Sequence, residues 1–366
     1  RDCLLSRGLG DVYKRQGGES MNGNVRRNAK TAFVCVLFII IVSLFFYLLT
    51  AGTMPKYVDI PSADKIADVD LSKDGVGIDI SSGEYYTGRL YMPDDFEKGD
   101  ISQGDPDDKY ATFRIVLPLE KGVTYGLSGE TATYAQQVYI DGKLLSEVGK
   151  VSDNAEEFVP ATDRYTLYFT AQADTAEIII RHAWFNHRTG TIQKLCLAKA
   201  PLISANERAQ TVCDGLIAGT LLAMAIFFFG MFLLGNRKRS MMWFSLSCLT
   251  AALHYLIYES KQIGVLFPYL DWYTEHKLEY ITNILYFVFI LLYAFATLGL
   301  RPHKHFVVTS VCSAGAILLF YIFTPSTVYT HFTVVAGAVM AVYLILSSVY
   351  ILSLIHISEP TRQEAI

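Results

Sequence analysis

Hydrophobic and polar positions divide the chain into three zones with different periods. Residues 31–53, TAFVCVLFIIIVSLFFYLLTAGT, hold no charge over 23 positions. At 1.5 Å per residue such a run crosses a hydrocarbon core of about 30 Å. Residues 54–208 contain no long apolar run; short alternating segments there lie between turn signals. The predicted strands are 76–80, 87–92, 112–119, 123–129, 137–149 (a hairpin turning at Asp141-Gly142), 165–171, 176–185 and 191–200. Strands this short and evenly spaced indicate an antiparallel sandwich or jelly roll. Residues 209–352 return to long apolar runs, which predict membrane spans over 212–234, 241–258, 280–299, 306–324 and 332–352.

The fold class is therefore a mixed membrane protein. It has an N-terminal transmembrane helix, an exported all-β jelly roll and a C-terminal transmembrane helical bundle. Charge sets the orientation. Arg26, Arg27 and Lys30 precede the first run, Arg237, Lys238 and Arg239 follow the first span of the bundle, and Arg301 and Lys304 lie between the third and fourth. Cytoplasmic loops are enriched in Lys and Arg. These three clusters predict a cytoplasmic N-terminus and an extracytoplasmic β zone. The connections at 259–278 and 325–331 then lie outside. A signal peptide is the rival reading of 31–53, but its apolar core would be about 7–15 residues.

The ends read differently. Residues 1–16 and 353–366 match nothing around them and are set apart as translated adapter sequence. Residues 17–30 are then a cytoplasmic N-terminus with its start at Met21. Gly17-Gly18-Glu19 can be encoded by a purine-rich bacterial ribosome-binding site.

Composition narrows the function. The 366 residues are 52% hydrophobic and only 18% charged, against about 25% charged in an ordinary soluble domain. A disordered protein is excluded, and the composition argues against a wholly soluble enzyme. The net charge of −4 gives no reason to expect nucleic acid as a partner. Six scattered cysteines form no disulfide framework, and Cys196 is alone in the β zone. No catalytic triad, Cys-x-x-Cys pair or phosphate loop is present, so no catalytic residue, cofactor or metal is assigned.

Several residues remain as candidates. Asp141-Gly142 between apolar arms favours a type I′ hairpin, because glycine accepts positive φ freely. Arg181, His182, Trp184, Asn186, His187 and Arg188 combine a flat aromatic with amide, imidazole and guanidinium groups. That chemistry suits a sugar or an acidic metabolite. It equally suits a turn held by its own polar groups, and the sequence does not choose. The acidic stretch 94–108 lacks the spacing of a calcium loop and reads as solvated. Asp214 reads as a boundary residue of its span, with docking of the β zone as the alternative. His254 reads as a hydrogen bond to a neighbouring helix. His303 and His305, in the basic loop, are too few for a metal site.

Two motifs carry a resemblance. Val138-Tyr139-Ile140-Asp141-Gly142-Lys143-Leu144, followed by Val148-Gly149-Lys150 and Val159-Pro160, resembles the hairpin of galactose-binding-like jelly rolls. Trp184 to Gly190 is similar to an Asn-x-x-Arg-x-Gly turn, although Thr191 stands where a second glycine is common. Together with the layout, they resemble the bacterial seven-transmembrane receptors with diverse intracellular signalling modules. The resemblance implies a sensory fragment with five of about seven spans. It also implies an extracellular small-molecule or carbohydrate ligand and a cytoplasmic output domain beyond this chain. A histidine kinase, as in two-component systems, is favoured, and a diguanylate cyclase is next. Residence in the bacterial cytoplasmic membrane follows, as does a homodimer if the output is either enzyme. The competing class is a transporter or membrane-bound enzyme with a glycan-binding ectodomain. Transporters show broken helices and mid-membrane polar groups, whereas here proline and charge fall in loops.

Overall fold

The computed structural model describes residues 56–60, 76–80, 83–99, 101–188, 190, 192, 195–235, 237–298 and 304–364. The expected segments 1–16 and 17–30, the anchor 31–53, and Arg26, Arg27, Lys30, Arg301 and His303 lie outside these residues.

Among the described residues the β body has nine strands: β1 (Lys56–Ile60), β2 (Val76–Ile80), β3 (Glu84–Thr87), β4 (Tyr110–Pro118), β5 (Thr124–Ile140), β6 (Lys143–Val148), β7 (Ala161–Thr170), β8 (Thr175–Ala183) and β9 (Leu195–Lys199). They form two sheets that share β5. Its first half pairs with β9 and β7, and its second half with β8 and β6. The register shifts between Thr131 and Tyr134, where β5 passes from one sheet to the other. Beyond β9 lie β2 and the parallel β1; beyond β8 lie β4 and β3. A strand that changes sheets at an irregularity is a known way to close the corner of a sandwich.

Side chains two apart fill the space between the sheets. Phe113, Ile115 and Leu117 of β4 meet Ile178 and Ile180 of β8 and Val138 and Ile140 of β5. The other sheet contributes Tyr125 and Leu127 of β5, Leu195 and Leu197 of β9, and Ile78 and Ile80 of β2. Each fully buried aliphatic side chain of this kind contributes about 1.5–3 kcal/mol. Asp141 and Gly142 have φ of 48° and 76°. Both values are positive, as a type I′ turn requires. Asp141 Oδ1 also accepts the Glu177 N–H at 2.9 Å, tying the turn to β8.

Three expectations are corrected here. The segments 123–129 and 137–140 are one strand, because the stretch between them pairs with β7 as far as Tyr134 and with β8 from Ala135. The strand expected at 87–92 is β3 at 84–87; it stops at Gly88, whose φ is 66°. The acidic stretch is not all loop. It begins with the short helix α1 (Pro93–Lys98), where Asp95 Oδ2 accepts the Met92 N–H at 2.9 Å.

The helical part comprises α2 (Ala200–Leu234), α3 (Arg239–His254) with a π-helical turn over Tyr255–Glu259, α4 (Ile263–Leu266), α5 (Trp272–Leu298), α6 (Lys304–Phe323) and α7 (Ser326–Glu364). Among the described residues, five helices are long and apolar enough to cross a membrane. The protein is thus a multi-pass membrane protein with a β domain ahead of a helical bundle. The helix containing the expected span 212–234 starts at residue 200, directly after β9, with Pro201 in its first turn. The expected loop at 325–331 lies almost wholly in α7, and α7 continues through 353–364.

Within the bundle, the Ser245 hydroxyl donates to the Ala225 carbonyl at 2.7 Å, and Phe228 packs edge-on against Phe244. Small hydroxyls crossing between helices are usual in lipid, where apolar contact alone gives little preference for another helix. α2 leads away from the body and α3 returns to it. The exposed Arg237, Lys238 and Arg239 therefore sit at the turn remote from the strands.

Candidate functional site at the junction of the β body and the helices

No linker separates the strands from the bundle, so the body rests on helix ends. Gly126 of β5 makes a close seat possible: a Cβ there would lie 2.8 Å from Ile203 Cβ. The seat is then fixed by charge. Arg164 of β7 places Nη1 3.2 Å from Asp214 Oδ2 on α2, and its Nη2 donates to the Glu259 carbonyl at 2.7 Å. Tyr255, in the π-helical turn, donates its O–H to the other Asp214 oxygen at 2.7 Å. Lys261 lies 2.9 Å from Glu130 of β5, and its side chain is only 5% exposed. Removing Glu130 would leave the buried ammonium of Lys261 without this partner, which costs more than breaking a fully exposed pair. Asp214, read from sequence chiefly as a boundary residue, is buried and docks the body.

A second contact comes from the turn after β8. Asn186 Nδ2 donates to the Tyr273 hydroxyl at 3.0 Å, and His187 lies 6.5 Å, ring to ring, from His276. Between the two contacts is a cavity of about 650 Å³. Tyr134 and His187 line it from the body. His254, Tyr258, His276, Glu279 and Tyr280 line it from α3, its π-helical turn and α5. Deeper in, Ile284, Phe287 and Met340 make the wall apolar. His254 Nδ1 faces the Glu279 carbonyl at 3.2 Å, so it must be the donor there. His276 Nδ1 lies 3.3 Å from Glu279 Oε2, its ring stacks on Trp272 at 4.7 Å, and its Nε2 has no hydrogen-bond partner among the described residues.

The six residues singled out from sequence do not share one surface, because alternate positions of a strand face opposite ways. Arg181 is on the outer face of its sheet, donating to Gln137 Oε1 at 2.8 Å. His182 points inward and is fully buried. Its Nε2 lies 2.9 Å from the Tyr85 hydroxyl, which in turn donates to the Gly190 carbonyl. Burial pushes the pKa of His182 down to about 3. Trp184 stacks on His182 at 5.0 Å and covers Gly190, where a Cβ would fall 1.8 Å from the indole. Gly190 is therefore a packing requirement. Gly149 is another close approach, with φ of 70° and the Val159 oxygen 2.3 Å from where a Cβ would stand. Only Asn186 and His187 contact the helices at the junction, and Arg188 is exposed. Arg164, Glu130, Lys261, Tyr273, His276 and Glu279 were not singled out. Glu279, at the start of an apolar run, was the one with a visible signal.

Residues 210–359 match the family model described as 7TM diverse intracellular signalling. Through this region the chain matches that family. The match covers α2 from its eleventh residue through most of α7, so its near end lies four residues before Asp214. It includes every helical residue named at the junction except Ile203. A comparison with curated proteins gave no match. Among solved structures, the chain is similar to a selenomethionine-labelled β-glucosidase from Kluyveromyces marxianus, at 11% identity and a TM-score of 0.19. That likeness covers 30% of this chain and 13% of the glucosidase. It is also similar to the EclA C-terminal domain, a sugar-binding protein, at 14% identity and a TM-score of 0.14, over 27% of this chain and 81% of that one. Scores this low bear on neither fold nor ligand.

Proposed function

We propose that the chain is the input part of a bacterial membrane signalling receptor. Its β body stands outside the cytoplasmic membrane and its helices pass the signal inward. The observation that carries this reading is the Arg164 latch, in which one strand side chain holds α2 through Asp214 and the π-helical turn through Glu259. A shift of the body therefore moves two helix ends together. A ligand changes the balance only if it favours one seating of the body over the other. The polar loop Asn186–Arg188 lies where a carbohydrate or other small molecule at the junction would meet it. The output, a histidine kinase before a diguanylate cyclase, follows from the family resemblance, and a homodimer follows from either output.

Two measurements on the full chain test the proposal. With cysteine placed at Tyr269, which is 99% exposed, an impermeant maleimide applied from outside should label it. Cysteine at Lys238 should stay unlabelled, and the opposite pattern overturns the orientation. In nanodiscs, Arg164→Leu should speed amide exchange over 255–262 by at least about tenfold, with β8 unchanged. Equal exchange in both proteins would remove the latch and the relay with it.

A further inference from the structure

We propose that the junction cavity binds a small organic ammonium ion carrying an apolar tail. This deepens the receptor reading and rests on it, since it names the class of molecule the junction takes.

The charge of the wall decides the sign of the ligand. Among the described residues, no lysine or arginine lines the cavity, while Glu279 does. Arg164 and Lys261 are held by Asp214 and Glu130, Lys277 donates to the Ile322 carbonyl at 2.9 Å, and the exposed Arg188 is not part of the lining. Glu279 has His276 beside it, but at 3.3 Å that contact is longer than the 2.7–2.9 Å of a charge-assisted bond. That contact leaves room at the Glu279 carboxylate for a cationic ligand.

The remaining groups agree in chemistry. Tyr134, Tyr258, Tyr280 and Tyr321 surround the same space, and aromatic faces attract cations within about 6 Å. Below them Ile284, Phe287, Met340 and Leu344 offer an apolar sleeve for a tail. The volume, about 650 Å³, falls in the usual range for small-molecule sites. A carboxylate ligand would meet Glu279 with no fixed cation to offset it.

The test uses the full chain in nanodiscs with three probes of similar shape: 2-phenylethylamine, 2-phenylethanol and 3-phenylpropanoate. Binding is followed by calorimetry and by tryptophan fluorescence, which Trp272 reports through its stack on His276. The amine should bind saturably, and the other two at least about tenfold more weakly. Glu279→Gln should weaken the amine by a similar factor. Gly337 lines the cavity, and a Cβ added there would have nothing within 4 Å, so Gly337→Leu fills the space without a backbone clash. It should also abolish binding while the circular dichroism of the chain stays unchanged. Equal binding of the alcohol or the carboxylate, full amine binding by folded Gly337→Leu, or no saturation by the amine overturns the assignment. The exchange measurement on Arg164→Leu needs no ligand. If the amine fails while that result holds, only this assignment falls.

Discussion

Ile178 on β8 and Ile226 on α2 have the same side chain under opposite conditions: one is 0% exposed, the other 73%. In the β body, protein excludes water from both sheet interiors, and the apolar residues are those with alternating spacing. In the helices, the apolar stretches are only 11–33% buried within the protein. Lipid has to cover the rest. Burial therefore marks structure in the body, whereas in the bundle it marks the unusual residue. Asp214, Glu275 and His276 are buried polar groups among helices that expose leucine and phenylalanine. Polar groups so placed in membrane segments are costly and tend to serve a purpose.

The sharpest way to break this comparison is to shorten both isoleucines. Ile178→Ala should destabilise the β body by about 2–5 kcal/mol, since it opens a cavity that the sheets cannot collapse around. Ile226→Ala should stay within about 0.5 kcal/mol. Denaturant midpoints of the full chain in nanodiscs, read from the β signal, measure both. Similar losses would mean that α2 buries Ile226 against a further protein surface.

Protonation separates the regions next. His182 is neutral in the folded body down to about pH 3, whereas an unfolded histidine takes up a proton near pH 6.5. Below about 6.5 the unfolded state therefore binds more protons, and stability falls as pH falls. The contribution is complete above that value and declines by about 1.4 kcal/mol per pH unit towards pH 3. His182→Gln should flatten this slope by that amount between about pH 6 and 4.5. Parallel slopes in the two proteins would show that His182 is not the group responsible.

What could be read in the sequence follows the same division. β2 occupies 76–80 as its alternation requires, and the Asp141-Gly142 turn adopts the φ values its residues favour. Apolar length located the five helices, although their ends run past the apolar stretches because hydrogen bonding does not stop where hydropathy does. The junction was harder to see. Arg164 and Asp214 are 50 residues apart, and Glu130 and Lys261 are further still. A single charge on a strand reads as solvated until the fold supplies its partner. Within 181–188 the residue types suggested one surface, but the two-residue period sends Arg181 and His182 to opposite faces. Asp214 and His254 could be noticed because polar groups stand out against an apolar background.

Glycine gives the finest version of the comparison. In the body, Gly190→Ala drives a methyl group into the Trp184 ring, which neither strand nor turn can move far to avoid. A loss of about 1–3 kcal/mol is expected. In α2, Gly215 has nothing within 4 Å of an added Cβ. Gly215→Ala should instead gain up to about 1 kcal/mol, because alanine restricts the unfolded chain and favours the helix. Thermal midpoints of the two variants should therefore move in opposite directions. A loss at Gly215 comparable to that at Gly190 would reveal a close partner for this face of α2, and the outer part of that helix would then belong with the tightly packed region.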